Sequence, residues 1–205
     1  MSKNNLLHAL VFVQNWGEEK GLMEFLKASP HAVSIFHIMG RYSYIVDSNF
    51  DSKEQLNDWI NQLKTIKLIA GPPAVISMQT QKVIDVFKQK KDFDLKDYRE
   101  LTDRFHFFML IDNPHHDAEL IELFKKMRIV HSILHIQGAS SFIMEVITES
   151  YDSYRKLLAK TKTLKSIQHI ETLEVLSVNK YRNQVIDREG ELVYPKTDIR
   201  ELYTL

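Results

Sequence analysis

The sequence predicts an α+β protein built from two copies of one βαββαβ unit. Three observations predict this fold: an internal repeat at an offset of 98 residues, short runs of strand-forming residues, and apolar residues at helical spacing between those runs. The chain has 205 residues, of which 44% are hydrophobic and 26% are charged, as in ordinary folded proteins. This length accommodates two small domains, one for each copy.

The repeat is clearest in the middle of each copy. Residues 34–45 and 132–143 both read S-I-x-H-I-x-G-x-x-S-aromatic-I. The same offset pairs His8 with His106, and about one position in four is identical over roughly 75 positions. A repeat of this length indicates a duplicated structural unit rather than a short motif.

The match between the copies also covers their tails. After Lys82 and Lys180 a small insertion shifts the register, and the match resumes at Val83-Ile84-Asp85 over Val185-Ile186-Asp187. The predicted domains are residues 1–102 and 103–205, with cores at 6–82 and 104–181 and tails at 83–102 and 182–205.

Each copy contains four β-rich runs and two amphipathic helices. The strands are predicted at His8–Val13, Val33–Met39, Tyr42–Val46 and Ala74–Thr80, and at His106–Ile111, His131–Gln137, Ser141–Ile147 and Thr172–Val178. Gly40 and Gly138 lie between neighbouring strands, where a glycine supplies a positive φ for a hairpin. Ser52 and Ser150 are predicted N-caps of the second helix of each copy.

The order βαββαβ is that of the ferredoxin-like unit, a four-stranded antiparallel sheet with both helices on one face. The other face is also largely apolar, so a second sheet is expected to cover it. We therefore predict two tandem ferredoxin-like units packed sheet to sheet as an intrachain pseudo-dimer. The tails are predicted to add a hairpin around Arg188-Glu189-Gly190 and a counterpart near residues 88–92.

Composition excludes several functional classes. Lys+Arg and Asp+Glu both number 27, and this zero net charge argues against direct nucleic acid binding. The chain has no cysteine, which excludes disulfides and thiolate chemistry. The apolar run Leu6–Val13 is too short to span a membrane, so a cytoplasmic location without membrane contact is predicted.

The two hairpin sequences resemble a known motif. They read Gly40-Arg41-Tyr42-Ser43-Tyr44 and Gly138-Ala139-Ser140-Ser141-Phe142. The pattern is similar to the effector-binding, ACT-like domain of Lrp/AsnC-type transcriptional regulators, a dimeric α+β barrel, over residues 6–82 and 104–181. That family usually has Gly-x-Tyr-Asp-aromatic here, whereas this chain has Ser43 and Ser141 in place of Asp, and the second copy has also lost the Tyr.

The resemblance implies a stand-alone double effector domain without a helix-turn-helix. Such a protein would bind a small polar, amino-acid-like metabolite near the hairpins and act by oligomerising or by associating with another regulator. It would not be an enzyme, and no catalytic residue, metal ligand or cofactor is predicted. The predicted ligand-binding residues are Gly40, Arg41, Tyr42, Ser43, Gly138, Ala139, Ser140, Ser141, His37 and His135.

A second hypothesis comes from histidines that recur in both copies. His37 matches His135 and His8 matches His106, so the four side chains would converge if the sheets face each other. The alternative function is a dimeric α+β barrel enzyme of oxygenase or decarboxylase type that uses these histidines with haem or a metal. No carboxylate was found at ligand spacing beside them, which favours ordinary hydrogen-bonded histidines.

Overall fold

The computed structural model describes residues 6–16, 20–68, 71–89, 104–114 and 118–186, and the backbone of 192–193. In the first copy the elements are β1 (Leu7–Asn15), α1 (Lys20–Ala28), β2 (Ala32–Met39), β3 (Tyr44–Phe50), α2 (Lys53–Thr65) and β4 (Val75–Gln89). In the second they are β5 (Phe105–Asp112), α3 (Ala118–Lys126), β6 (Val130–Gln137), β7 (Phe142–Thr148), α4 (Tyr151–Lys162) and β8 (His169–Tyr181), followed by β9 (Gln184–Ile186) and β10 (Leu192–Val193).

This order confirms the predicted α+β fold with two ferredoxin-like units. The predicted N-caps are also confirmed: the hydroxyl oxygens of Ser52 and Ser150 accept hydrogen bonds from the backbone N–H groups of Gln55 and Ser153, both at 3.2 Å. The boundary between residues 102 and 103 stays a prediction, because residues 90–103 lie outside the described part of the chain.

The two sheets join into one closed antiparallel barrel through two long strands. The first half of β4 pairs with β1 of its own copy, and from Lys82 onward β4 pairs with β6 of the other copy. The strand β8 pairs in the same way with β5 and then, from Glu174 onward, with β2. The strand order is therefore β8-β2-β3-β1-β4-β6-β7-β5, and β5 returns to β8. Strands β4 and β8 are 15 and 13 residues long, well beyond the seven predicted for each.

Three apolar cores follow from this architecture. One lies inside the barrel and includes Leu10, Phe12, Phe36 and Phe108. The other two lie between each sheet and its own pair of helices. Inward-facing and helix-facing residues alternate along each strand, as the pleat requires.

The tails differ between the copies. Strand β9 pairs with β8 and with β10, and the predicted turn at 188–190 between β9 and β10 lies outside the described residues. Of the predicted counterpart at 88–92, residues 88 and 89 belong to β4, and the rest are also outside the described part. No helix among the described residues is long and apolar enough to cross a membrane.

Two lysines tie the long strands to helices of the opposite copy. The buried ammonium of Lys180 on β8 donates to the carbonyl oxygen of Ser29 at 2.8 Å, just after the end of α1. The ammonium of Lys88 on β4 donates to the carbonyl oxygens of Lys125 and Met127, both at 2.9 Å, at the end of α3. A cation is favourable at these positions because the C-terminal end of a helix carries partial negative charge.

Alanine at Gly40 should destabilise the fold more than alanine at Gly71. Both glycines have a positive φ, 151° and 115°, which alone costs about 1–3 kcal/mol for a non-glycine residue. A Cβ at Gly40 would also lie 2.8 Å from Cδ2 of the buried Leu173, whereas a Cβ at Gly71 meets nothing within 4 Å. Urea unfolding of the two variants measures the difference, and equal losses would contradict the close contact.

The Lys180 contact should make stability depend on pH. Burial lowers the pKa of Lys180 to about 8, below the value near 10.4 of an unfolded lysine. Between these values the unfolded chain binds more protons than the folded chain, so the free energy of unfolding contributed by this residue rises from pH 8 to pH 10. Lys180→Met should lack this rise when the two proteins are compared by urea unfolding at each pH. Parallel profiles would contradict the assignment.

Candidate functional site

Polar side chains break the apolar lining of the barrel where β1 and β5 begin. His8 precedes Leu10 and Phe12 on the inward face of β1, and His106 takes the matching place before Phe108 on β5. The ring of His106 lies edge-on to Phe36, with the ring centroids 5.6 Å apart, inside the barrel. Burying such groups is costly unless they find partners, and both histidines face a carboxylate.

The first pair is His8 and Asp47. Atom Nε2 of His8 lies 2.6 Å from Oδ1 of Asp47 on the neighbouring strand β3, and each side chain is 26% exposed. A carboxylate only accepts hydrogen bonds, so Nε2 carries the proton in this contact. The neutral imidazole then has its lone pair on Nδ1, and that atom is able to accept a proton.

The second pair is His106 and Glu145, and it is more deeply buried. Atom Nε2 of His106 lies 3.1 Å from Oε1 of Glu145, with the side chains only 4% and 11% exposed. This contact does not meet the full geometry of a hydrogen bond, and it is an ion pair when the imidazole is protonated. The hydroxyl of Ser132 donates to the other carboxylate oxygen at 3.1 Å.

The charge state of Glu145 follows from these neighbours. Burial alone raises the pKa of this carboxyl, but His106, His131 and the Ser132 hydroxyl outweigh burial and hold the pKa below its usual value. Glu145 is therefore an anion inside the barrel at neutral pH.

The two acids also obey the sequence repeat. Asp47 and Glu145 are 98 residues apart, so each copy contributes one histidine and one acid. The expectation that no carboxylate accompanies the repeated histidines is wrong, because each acid lies 39 residues from its histidine along the chain and meets it only across paired strands. The conservative Asp–Glu match at the offset was the signal that could have revealed them.

A cavity of about 90 Å³ is lined by His8 and Asp47 of the first pair and by Glu145 of the second. Its walls include residues related by the repeat, namely Leu10 with Phe108, Ser34 with Ser132, and Asp47 with Glu145. His8, His131, Tyr181 and Arg182 complete the polar part of the lining. The space holds roughly three water molecules, which is enough for a small ligand or for the reacting end of a larger one.

The predicted hairpin site lies elsewhere. The Ser43 N–H donates to the carbonyl oxygen of Val13, which places the first hairpin at the far end of β1 from His8. The Arg41 guanidinium lies 3.5 Å from the Glu171 carboxylate and 4.8 Å from the Tyr42 ring centroid.

The other side chains of the first hairpin also have internal partners. The Tyr42 hydroxyl donates to Oε1 of Gln79. The Ser43 hydroxyl oxygen accepts from the Asn15 N–H at 3.3 Å, which is a structural role at the position where the regulator family has Asp. A Cβ at Gly40 would contact Leu173, so this glycine is explained by packing.

The second hairpin repeats this arrangement. The Ser141 hydroxyl oxygen accepts from the Asn113 N–H at 2.9 Å and the hydroxyl donates to Oδ1 of Asp112 at 3.3 Å. Gly138 packs against the buried Gln81 side chain, while Ala139 is exposed and Ser140 half-buried at the tip. None of the predicted hairpin residues lines the cavity inside the barrel.

His37 and His135 do not join His8 and His106. The His37 ring lies 5.1 Å from the ring of Tyr44, which belongs to the core under the helices of the first copy. The His135 ring stacks at 5.6 Å on Phe87, which packs against the corresponding core of the second copy. The predicted convergence of four histidines is therefore wrong, because successive residues of a strand face opposite sides of the sheet. Across the described ranges, no three His, Asp or Glu side chains are grouped as metal ligands.

No protein-family model matches the chain. No curated protein matches it either. The solved structures do give matches, each covering 86% of this chain. The siroheme decarboxylase NirDL has a TM-score of 0.63 at 7% identity, with 73% of that chain covered. An anthrone oxidase-like protein has a TM-score of 0.53 at 11% identity and 93% coverage. A chlorite dismutase variant from Candidatus Nitrospira defluvii has a TM-score of 0.52 at 11% identity and 92% coverage.

These similarities correct the functional expectations. At such identities they establish the fold, and the three structures named here are of enzymes or an enzyme-like protein, not of Lrp/AsnC-type regulators. The predictions of a transcriptional regulator, of a protein without enzymatic activity and of an amino-acid-like effector or a partner regulator are therefore wrong. The hairpin motif misled because its residues build a turn and strand ends that any protein of this fold needs.

The two histidine pairs should differ in their contribution to stability. His106→Gln removes one of the two histidines that lower the pKa of the buried Glu145 carboxyl and should cost about 3 kcal/mol, whereas His8→Gln at the more exposed pair should cost about 1 kcal/mol or less. Replacing both His106 and Glu145 by Leu should cost less than His106→Gln, because no buried charge remains unpaired. Chemical unfolding of the three variants measures this order, and a double variant weaker than the single one would contradict it.

Proposed function

We propose that this protein is an enzyme that performs acid–base chemistry on a small organic substrate in the cavity inside its barrel. The observation that carries the proposal is that the His8–Asp47 contact and the Glu145 carboxylate, which contacts His106, line one cavity inside the barrel. Buried ion pairs contribute little to stability compared with well-packed apolar side chains, so their presence in both copies indicates use in chemistry.

His8 is the general base in this proposal. Asp47 accepts the hydrogen bond of Nε2, orients the ring and stabilises the imidazolium that forms when Nδ1 takes a proton. The partial exposure of the pair gives that proton a route to water. Of the less exposed His106–Glu145 pair, the Glu145 carboxylate lines the cavity and supplies a fixed negative charge there.

The named neighbours are consistent with this chemistry. One is a decarboxylase and another resembles an oxidase of anthrones. Decarboxylation ends with delivery of a proton to carbon, and oxidation of an organic C–H group requires a proton to be removed. A positioned base or acid typically raises the rate of such proton transfers by about 10²–10⁴-fold.

A tetrapyrrole does not fit the barrel cavity. The siroheme decarboxylase has been solved with an iron-uroporphyrin III analogue. The cavity here measures about 90 Å³, against roughly 300–1,000 Å³ for ordinary small-molecule sites, and aromatic side chains fill the interior around it. The proposed reaction therefore involves no tetrapyrrole inside the barrel.

The cytoplasmic location predicted from composition is part of the same proposal.

Solvent exchange at carbon tests the proposal without knowledge of the natural substrate. In D₂O the protein should accelerate deuterium incorporation into the methyl groups of pyruvate, acetoacetate or acetone, followed by proton NMR. His8→Gln should slow the catalysed exchange by about 10²-fold or more, since it removes the base. Asp47→Asn should also slow it, because the amide no longer holds the same tautomer.

The matched control is His169→Gln, which alters an exposed histidine outside the cavity. It should exchange like the unaltered protein. The proposal fails if the protein catalyses no exchange with any of the three compounds, or if His8→Gln and His169→Gln behave alike.

A further inference from the structure

The insertion that interrupts the repeat forms part of the cavity wall. The copies match at an offset of 98 up to Lys82 and Lys180, and at 102 over Val83-Ile84-Asp85 and Val185-Ile186-Asp187. The second copy therefore contains four additional residues, Tyr181-Arg182-Asn183-Gln184. An element present in only one copy is not needed to build the repeated fold.

These residues turn the chain back on itself. Strand β8 ends at Tyr181, and Arg182 and Asn183 form a two-residue turn with φ values of 47° and 69° before β9 begins. Positive φ at both positions is typical of a tight hairpin. In the first copy β4 has no such turn and continues to Gln89.

The turn is fixed against β2 of the other copy. The Asn183 N–H donates to the carbonyl oxygen of Val33 at 2.8 Å, and the Arg182 N–H donates to the Ser34 hydroxyl oxygen at 3.2 Å. Val33 and Ser34 both line the cavity. The insertion is thereby anchored at the cavity wall.

Its side chains supply hydrogen-bond donors to one side of the cavity. Tyr181 is buried, and its ring lies edge-on to Phe36 with the centroids 6.4 Å apart. Burial, together with the nearby carboxylates of Glu145 and Asp47, raises the pKa of Tyr181, so its hydroxyl stays protonated. The Arg182 guanidinium carbon lies 5.5 Å from the Tyr181 ring centroid, and this side chain is always charged.

Another donor in the cavity lining also breaks the repeat. His131 occupies the position that Val33 has in the first copy, and both line the cavity. The polar groups shared by the two copies form the His–carboxylate pairs, while His131, Tyr181 and Arg182 have no polar counterpart. The duplicated groups are thus suited to proton transfer, and the unmatched groups to binding a negatively charged or polarised oxygen.

We propose that the insertion is the substrate-recognition element of this enzyme and that it selects a small carboxylate-bearing carbonyl compound. Arg182 pairs with the substrate carboxylate, and the Tyr181 hydroxyl donates to the carbonyl oxygen. The cavity volume, roughly three water molecules, limits the bound part to about three carbons. This inference rests on the proposed acid–base function of the same cavity.

The proton transfer is balanced. His8 takes the proton from the carbon next to the carbonyl group, and the electron pair of that C–H bond forms the C=C bond of an enolate. The π electrons of the carbonyl group move to its oxygen, where the Tyr181 hydroxyl meets the negative charge. No oxidant or reductant is needed, and reversal of the step with solvent deuterium gives the exchanged product.

Acetate binding tests the recognition separately from catalysis. Acetate is titrated into the unaltered protein and the shifts of the His8 and His131 ring protons are followed by NMR. Arg182→Asn removes the charge and should raise the acetate Kd about tenfold or more, as expected for loss of one charge-assisted hydrogen bond. Asparagine is well tolerated at a φ of 47°, so this variant should fold.

The matched control is Arg41→Asn, the same substitution at the hairpin end of the barrel, and it should bind acetate normally. Tyr181→Phe should retain acetate binding but slow the exchange of pyruvate. The inference is overturned if acetate does not bind, if Arg182→Asn binds it like the unaltered protein, or if Arg41→Asn loses binding instead. Acetate binding through Arg182 without any deuterium exchange would support the recognition element and count against the proposed function alone.

Discussion

The exchange of strand partners by β4 and β8 is the constraint on which the rest of this structure depends. A single βαββαβ sheet has one face covered by helices and another apolar face open to water, and its edge strands carry unpaired N–H and C=O groups. Because the two long strands run from one copy into the other, they pair the backbone N–H and C=O groups at both sheet edges. The same pairing brings the two open sheet faces together. Two lysine contacts also hold these strands against the opposite copy: Lys180 on β8 donates to a carbonyl oxygen just after α1, and Lys88 on β4 donates to one at the end of α3.

Closure of the barrel creates a largely apolar interior, where burying an unpaired charge lowers the stability of the fold. Phenylalanine, leucine and isoleucine side chains fill most of the barrel, so a histidine or a carboxylate survives there only with a partner. Each copy of the duplicated unit contains one histidine and one carboxylate in contact, so the duplication gives both histidines a partner. The barrel then brings both acids, Asp47 and Glu145, to one cavity, whereas a single copy would have had one contact on an open sheet face.

Divergence between the copies made the cavity asymmetric. One pair is more accessible to water than the other, and a four-residue insertion in the second copy adds the Tyr181 phenol and the Arg182 guanidinium to the lining. In the proposed function this asymmetry gives a small substrate one orientation, whereas a fully symmetric cavity would bind it equally in two directions. The enzymes that share the fold differ widely in their named activities, so the function of each depends on such local side chains rather than on the barrel.

The sequence by itself determined much of the local structure: the order of strands and helices in both copies, the serine N-caps, the positive φ of Gly40 and the offset that relates the two halves. These features depend on residues a few positions apart, so the spacing of apolar residues and the capping side chains predict them directly. The positive φ predicted for Gly138 was wrong, since that glycine is instead packed against Gln81. Only the tertiary structure decided the length of β4 and β8, because their outer halves are strands through pairing with the other copy. It also decided that Asp47 and Glu145 are the histidine partners, since contacts over 39 residues leave no local pattern. The hairpin residues showed the reverse: their local pattern was plain, but packing and strand-end hydrogen bonds already use the groups from which ligand binding was predicted.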